Sequence, residues 1–309
     1  MAGYQHLFET GELQKRAHQA WSLLGSCRLC PRQCKVNRLA GEVGKCRTGR
    51  EAVVSSCGPH FGEESPLVGQ SGSGTIFFTH CNLRCTFCQN YTISQLGEGE
   101  GVYREQLASM MLSLQRRGCH NVNLVTPSHV VPQILVALEI AVAKGLSIPL
   151  VYNSGGYDSV ETLKLLDGVV DIYMPDMKYS DEGVGQRLSA AKNYPAINLA
   201  AIREMHRQVG NLEMDARGIA TRGLLVRHLV LPHGLAGTGG VVSFLAEEIS
   251  KDTYLNVMAQ YRPAYRACEV PALSRPLSEH EYSEAVRLAC QHGLKRLDSR
   301  QARLSPLHL

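Results

Sequence analysis

Three kinds of segment are missing from this 309-residue sequence. The N-terminal stretch MAGYQHLFETGELQKRAHQAW has no apolar run, so we expect no secretory signal peptide. The longest apolar stretch, VVPQILVALEIAVAKGL, contains Glu139 and Lys144 and therefore predicts a packed helix rather than a membrane span. No dense Lys/Arg run accompanies the net charge of +4, so charge neither indicates nor excludes nucleic-acid binding. We expect no membrane partner and do not expect a nucleic-acid partner.

Cysteine, by contrast, is abundant, with eleven in the chain. In the absence of a signal peptide they should lie in the reducing cytoplasm, where clustered cysteines bind metals or do chemistry more often than they form disulfides. Seven of them fall into two clusters, Cys27, Cys30, Cys34 and Cys46 in the first, and Cys81, Cys85 and Cys88 in the second. We therefore predict a cytoplasmic protein with two cysteine-based sites.

A regular alternation of strand-like and helix-like segments begins near residue 74. Runs that are apolar on both faces are typical of parallel strands covered by helices, and strand–helix alternation is typical of βαβ units. The pattern predicts an α/β fold built as a partial, about six-stranded parallel β/α barrel. A doubly wound open sheet is the alternative. The six apolar runs lie at 74–80, 121–127, 148–154, 169–176, 223–232 and 254–261.

Residues 1–60 differ in character and predict a small cysteine-rich N-terminal lobe. A helical stretch at about 11–24 leads into the turn-rich segment CRLCPRQCKVNRLAGEVGKC. Residues 61–309 form the predicted barrel domain. Within it, GIATR at 218–222 predicts a hairpin or insertion before the fifth strand, and Ser278 followed by Glu281 predicts the capped start of a last helix.

The motif THCNLRCTFCQNY, residues 79–91, places three cysteines just after the first barrel strand. Active groups gather at the carboxyl ends of the strands in both candidate architectures. Thiolates select iron–sulfur clusters or zinc, and a structural zinc would need a fourth ligand nearby. A cubane cluster held by three thiolates leaves one iron open to substrate or cofactor. The C-x3-C-x2-C spacing fits such a cluster, and a zinc knuckle or buried thiols are the alternatives.

This motif, with Phe87 before its last cysteine, resembles the radical S-adenosylmethionine (SAM) superfamily. The segments CRLCPRQC, GPHFGEESPLVG, VTPSHV and MPDMKY make the chain similar to a branch related to pyruvate formate-lyase activating enzymes, often called PflX-like. The resemblance implies a [4Fe–4S] cluster on Cys81, Cys85 and Cys88 whose open iron binds SAM. One electron then cleaves SAM to methionine and a 5′-deoxyadenosyl radical. A flavodoxin- or ferredoxin-like electron donor is implied as a partner.

The resemblance also suggests SAM contacts at the strand ends. Many family members have Gly-Gly-Glu after the second strand, where this chain has TPSH at 126–129. Thr126 or Ser128 would then accept a hydrogen bond from the SAM ammonium group, or His129 would take part. A role for Ser128 as helix N-cap is the alternative. Asn153 ends the third strand at a cofactor-facing position, for which an ordinary glycine turn is the alternative.

Three charged residues belong to the same predicted site. Asp176 and Lys178 are similar to an Asp-x-Lys segment that contacts SAM in activating enzymes, and their spacing puts them on one face of a strand. Opposite charges on an inward apolar face are costly unless they pair or bind something. Arg227 matches an arginine that reaches the SAM carboxylate, and a structural ion pair is the alternative. His228 would face the other way and pack.

The first cysteine cluster has the spacing C-x2-C-x3-C-x11-C and is a complete set of four. Such a set predicts structural zinc or a closed iron–sulfur cluster, with free thiols as the alternative, and the spacing does not decide between the metals. Cys57 could replace one ligand. The isolated cysteines are expected to be small buried hydrophobes, namely Cys119, Cys268 and Cys290.

Two functions from different classes fit these patterns. One is a radical SAM enzyme that abstracts hydrogen from a glycine of a partner protein, a peptide or a small molecule. The other is a non-catalytic iron–sulfur electron carrier or zinc-stabilised binding protein. The second leaves Asp176, Lys178 and Arg227 without a role, so we favour the enzyme.

Overall fold

The computed structural model describes residues 2–298 and centres on one open sheet. Six of its strands are parallel and follow one another in the order β2-β4-β5-β6-β8-β9. Within the described residues the sheet does not close on itself. The prediction of a partial six-stranded parallel barrel is therefore confirmed. The strands are β1 (Ala52–His60), β2 (Ser73–Phe78), β3 (Glu100–Val102), β4 (Val122–Val125), β5 (Leu150–Ser154), β6 (Ile172–Pro175), β7 (Glu213–Met214), β8 (Ala220–Leu229) and β9 (Tyr254–Met258).

Three further strands extend this sheet in the antiparallel sense. β1 pairs with β2, and the short β3 pairs with the other edge of β1. β7 and β8 form the hairpin that the GIATR segment predicted. Residues 52–60, assigned by sequence to the N-terminal lobe, thus pair with the first barrel strand. The division of the chain at residue 60 stays a prediction.

The central parallel strands are buried on both faces. Every residue of β5 and β6 is buried, as expected for parallel strands covered by helices. One face packs under the helices, and the other lines the inside of the barrel, where Leu67 from the short α3 fills the space. The inner layer consists of Leu67, Val151, Ile172, Met174, Leu212, Ala220, Leu225 and Tyr254.

The helices cover the outside of the barrel. α5 buries most of its residues because it lies between the sheet and α2. α10 begins with the predicted Ser278–Glu281 capping box. No helix among residues 2–298 is long and apolar enough to cross a membrane. The helices are α1 (Gly3–Glu9), α2 (Glu12–Ser22), α3 (Ser65–Val68), α4 (Arg104–Arg116), α5 (Val131–Ala143), α6 (Val160–Lys164), α7 (Glu182–Ser189), α8 (Tyr194–Val209), α9 (Thr238–Phe244) and α10 (Glu279–Gln291).

Candidate functional site

The second cysteine cluster lies on one loop at the carboxyl end of β2. We call residues 79–91 the motif loop. Its backbone is held by the C-terminal end of α7, because Arg84 N donates to Ser189 O at 3.0 Å and Thr86 N donates to Leu188 O at 2.8 Å. Leu83 N also donates to Cys81 Sγ at 3.3 Å. The fold therefore fixes the loop before any cofactor is bound.

Hydroxyl groups contact two of the three thiols. Ser189 Oγ donates to Cys85 Sγ at 3.0 Å, and Ser94 Oγ lies 3.0 Å from Cys88 Sγ. Burial, with smaller contributions from the nearby Cys85 and Cys88, raises the pKa of the Cys81 thiol to about 12. Burial also raises the pKa of Cys85. A bound metal cation reverses this effect, since metal ligands must be thiolates.

Aromatic rings enclose the motif loop on its inner side. Phe87 packs edge-on against Tyr179, with ring centroids 6.4 Å apart, and against Tyr261 at 6.0 Å. Tyr194 packs against Tyr179 and stacks on Tyr157. These rings bury the Cys85 side of the loop and keep bulk water from it.

The predicted charged residues meet at the neighbouring strand ends. Asp176 accepts from Arg227 Nε at 2.9 Å and from Lys178 Nζ at 2.5 Å, one on each carboxylate oxygen. Arg227 also donates to Asn153 Oδ1 at 2.7 Å. Asp176 and Lys178 follow β6 rather than lying within it. Four of the six residues predicted to bind SAM thus form one hydrogen-bonded group.

The charges of this group interact with a cysteine of the motif loop. Burial alone would raise the pKa of Asp176, but Arg227 and Lys178 together hold it below its usual range. Burial would lower the pKa of Lys178, yet Asp176 and then Cys85 raise it above its usual value. Lys178 therefore stays protonated between a carboxylate and a predicted cluster ligand.

The remaining two predicted SAM contacts have different surroundings. Thr126 follows β4 with a positive φ of 62°, and its N donates to Asn153 O at 2.8 Å. Ser128 is buried and bonds to Asp158, whose carboxylate also accepts from Ser154 Oγ at 2.6 Å. Ser128 is not the helix N-cap, because α5 starts after Val130. That alternative was wrong because the Ser128 hydroxyl is held by Asp158.

Four other residues complete the description of the site. His228 packs as predicted, with Nδ1 2.7 Å from Met177 O and Nε2 2.9 Å from Thr238 Oγ1. Sequence reasoning missed Glu63 and Glu64, which are buried close to Arg227. Asn256 Nδ2 donates to Glu64 Oε1 at 2.9 Å. Glu63 and Glu64 both lie in the segment GPHFGEESPLVG, but the sequence does not show that their carboxylates are buried.

The first cysteine cluster forms a second enclosed site. Cys27, Cys30, Cys34 and Cys46 line one small cavity together with Arg38 and His129. Burial raises the pKa of Cys30 to about 12, and the other three thiols of the cluster add to the effect. The predicted convergence of the four side chains is therefore present in the fold.

The other cysteines differ in part from expectation. Cys57 lies on β1 close to Cys119, so it stands apart from the four cysteines it was expected to supplement. Cys119 is buried as expected. Cys268 and Cys290 are exposed, so their prediction as buried hydrophobes was wrong. Cys268 lies in a short turn and Cys290 on the outward side of α10, which sequence periodicity did not resolve.

The arrangement of the thiols bears on which metal centre they fit. Within residues 2–298, no three Cys, His, Asp or Glu side chains stand where one metal ion could bind them all. A cubane cluster does not require that arrangement, because each thiolate binds a different iron. Three mutually close thiols on one loop therefore fit such a cluster in number and chemistry. A single ion bound by all four cysteines would require their side chains to rotate about the Cα–Cβ bonds until the sulfur atoms converge.

Comparison with known proteins agrees with this geometry. The family model of the radical SAM superfamily matches residues 75–212. Uncharacterized protein MJ0674 of Methanocaldococcus jannaschii is 34% identical over 289 residues, covering 91% of this chain and 79% of that protein. Uncharacterized protein MJ0808 of the same organism is 23% identical over 292 residues, covering 87% and 79%.

A solved structure shares the fold. The crystal structure of a radical SAM methyltransferase from Sphaerobacter thermophilus superimposes with a TM-score of 0.51 at 13% identity, covering 72% of this chain. The present chain spans 64% of the length of that structure, and the likeness concerns the fold alone. The matched segment begins within β2 and includes the motif loop and the strand ends carrying Asn153 and Asp176. Residues 75–212 of the chain carry a radical SAM superfamily domain.

Proposed function

We propose that the protein is an activating-enzyme-like radical SAM enzyme of the PflX-like branch, acting on a glycine of a partner protein. Superfamily membership implies a [4Fe–4S] cluster and SAM. One observation carries the proposal: the Asp176–Lys178–Arg227 group lies beside the loop bearing Cys81, Cys85 and Cys88. A simple electron carrier would not need this buried charged group.

The protein's own residues have separable tasks in this proposal. Cys81, Cys85 and Cys88 hold the cluster, and Ser189 and Ser94 donate hydrogen bonds to two of the sulfur atoms. When bound, cluster and SAM together supply a 5′-deoxyadenosyl radical. The rings of Phe87, Tyr179 and Tyr261 exclude water from the reacting region.

The strand ends bind SAM. Arg227 presents a planar fork suited to a carboxylate, and Asp176 is a carboxylate suited to an ammonium group. Lys178 and Asn153 hold these two in place through the hydrogen bonds described above. Thr126 and Ser128 form the adjoining edge after β4, where Thr126 is only half-buried and so remains accessible.

The same proposal assigns the compartment and the partners. Eleven free cysteines and a cluster that needs a strong reductant call for the reducing cytoplasm. The electron donor is a flavodoxin- or ferredoxin-like protein. A protein substrate fits the open barrel, because an unclosed sheet leaves a side through which a chain segment can enter. The four N-terminal cysteines hold zinc or a second iron–sulfur cluster.

Anaerobic reconstitution tests the enzymatic function directly. The protein is loaded with iron and sulfide, reduced with dithionite and incubated with SAM. We expect 5′-deoxyadenosine and methionine in equal amounts. A reconstituted cluster that leaves SAM intact supports the electron-carrier function instead.

A second measurement identifies the substrate. SAM deuterated at the 5′ carbon is incubated with the reduced enzyme and candidate protein or metabolite fractions. If the radical exchanges hydrogen reversibly with its target, deuterium accumulates in that target. Label in a glycine residue supports the activating function, and label confined to a small molecule contradicts it.

A further inference from the structure

Two arginines tie the four-cysteine segment, residues 27–46, to the motif loop. Arg32 lies between the second and third cysteines of that segment and reaches the motif loop. Arg84 lies between the first two cysteines of the motif loop and reaches back to the segment. The two cysteine sites are thus in direct contact, through side chains that come from within each motif.

Arg32 fixes the residue that follows Cys81. Its Nε donates to Asn82 O at 2.9 Å, and a terminal nitrogen donates to Ala190 O. The guanidinium lies over the ring of Tyr157, 5.2 Å from its centroid. Asn82 in turn donates through Nδ2 to Tyr157 O at 2.7 Å. The start of the motif loop is therefore clamped between Tyr157 and the four-cysteine segment.

Arg84 makes the reciprocal connection. One terminal nitrogen donates to Lys45 O, next to Cys46, and the other donates to Cys81 O at 3.2 Å. Because Arg84 bonds to both carbonyl groups, a movement of Lys45 would shift the backbone of Cys81.

A third arginine indicates that the four-cysteine site carries negative charge. Arg38 is fully buried, and none of its hydrogen bonds goes to a carboxylate. It donates to Gly49 O and His129 O, one nitrogen lies 3.9 Å from Cys27 Sγ, and Nη2 has no partner. A buried arginine needs a negative charge nearby. Among the side chains that line this cavity, only the cysteine thiols can become anionic.

Three features around the cavity between the four cysteines suit a bound metal centre. Nδ1 of the fully buried His129, which lines the cavity, has no hydrogen-bond partner. Lys45 N donates to Cys34 Sγ at 3.4 Å, as backbone amides do to metal-bound thiolates. Gly44 closes one side, since a Cβ there would lie 2.8 Å from Cys34 Sγ.

We propose that the four cysteines bind a thiophilic metal and that this second centre positions the motif loop through Arg32 and Arg84. Loss of the metal frees the segment that carries Arg32 and Lys45, and the catalytic cluster then becomes less firmly held. The bound centre is zinc or a closed iron–sulfur cluster, which share the same four-thiolate chemistry. The inference rests on the proposed function only in taking the motif loop as the SAM-binding cluster site.

The first experiment asks whether the site binds metal. The full chain carrying Cys81→Ala, Cys85→Ala and Cys88→Ala is purified anaerobically, and its zinc and iron are measured. We expect close to one zinc, or the iron of one cluster, per chain. Adding Gly44→Ala should remove most of this metal, whereas the matched Gly49→Ala, whose Cβ meets nothing within 4 Å, should retain it. A triple variant with neither metal overturns the proposal.

The second experiment asks whether the site positions the motif loop. Arg32→Gln is compared with Arg28→Gln, an exposed neighbour in the same segment. Iron loss from the reduced cluster to a chelator should be on the order of tenfold faster in Arg32→Gln and unchanged in Arg28→Gln. The electron paramagnetic resonance spectrum of the reduced cluster with SAM should change only in Arg32→Gln. Equal behaviour of the two variants overturns the coupling.

The two proposals fail in different ways. If wild-type protein with metal at the four-cysteine site assembles no SAM-cleaving cluster, the proposed function is wrong. If it assembles one whose stability and spectrum ignore Arg32→Gln and Gly44→Ala alike, only the coupling is wrong.

Discussion

Arg227 and Asp176 join two neighbouring strand ends through a part-buried hydrogen bond of 2.9 Å between Nε and Oδ1. Lys178 donates to the other carboxylate oxygen, and Asn153 Oδ1 accepts from a second Arg227 nitrogen, Nη2. The group is therefore arranged before SAM arrives. SAM binding then requires only that these residues exchange hydrogen-bond partners locally, so the free-energy cost of reorganisation is small.

Replacing Asp176 with alanine should weaken SAM binding and destabilise the fold. The change leaves Arg227 and Lys178 buried without their shared counter-charge, at a cost of about 3–5 kcal/mol. We expect the dissociation constant for SAM to rise about tenfold or more, while cluster iron is retained. Equilibrium binding to the reconstituted protein and urea unfolding measure the two effects.

Glu161→Ala is the matched control for Asp176→Ala. Glu161 is an acidic residue in an exposed ion pair with Lys164, so its loss should change stability by about 0.5 kcal/mol or less. Unchanged SAM affinity and cleavage in Asp176→Ala would assign the charged group a purely structural role.

Single alanine substitutions at Cys81, Cys85 and Cys88 should each abolish SAM cleavage while the fold survives. A cluster held by three thiolates has no spare protein ligand. Iron content and 5′-deoxyadenosine after reduction are the measurements. Cys290→Ala, at an exposed thiol, should cleave SAM like wild type. Near-normal cleavage by any of the three variants would contradict the ligand assignment.

Ser189→Ala should make the reduction potential of the cluster more negative. The hydroxyl donates to Cys85 Sγ, and hydrogen bonds to cluster sulfurs favour the more negatively charged reduced state. Potentiometric titration followed by electron paramagnetic resonance measures the shift. Ser274→Ala, at an exposed hydroxyl, is the comparison and should not move the potential. A less negative potential in Ser189→Ala would show that the hydroxyl does not donate to the bound thiolate.

Glu63→Gln should remove a pH dependence of stability. Burial raises the pKa of Glu63 from 4.5 to about 7, while Arg227 opposes the shift. Because the folded state binds this proton more tightly, stability is full below the unfolded pKa and falls as pH rises to about 7, by up to about 3 kcal/mol.

Urea unfolding at about pH 5 and about pH 8 tests this. Wild type should lose more stability between the two values than Glu63→Gln does. Glu161→Gln should follow wild type, since Glu161 is exposed. Identical pH dependence in wild type and Glu63→Gln would mean that Glu63 is ionised in the folded protein without cost.

The barrel was predictable because its signal is repeated. Each of the six apolar runs overlaps an observed barrel strand, since a strand buried on both faces has a composition that surface elements lack. β3 was missed because its three residues are too few to show a period, and β1 because its burial is uneven. The sequence pattern was therefore enough to predict a strand wherever consecutive residues are buried.

The site residues could be predicted only where they lie close together in the chain or interrupt an apolar run. Asp176 and Lys178 are two residues apart, and Arg227 interrupts an apolar strand, so all three could be identified. Glu63 and Glu64 could not, because their burial depends on how the segment after β1 enters the barrel. The bond of Arg32 to Asn82 in the motif loop likewise spans 50 positions.

Cys268 and Cys290 give the molecule two outward-facing attachment points. The other nine thiols are buried or half-buried, so a maleimide reagent should modify these two first. In air they should also cross-link neighbouring molecules into dimers unrelated to any native assembly. Replacing both with serine removes that artefact, and restoring one at a time gives a single position for a fluorescent or spin-label reporter.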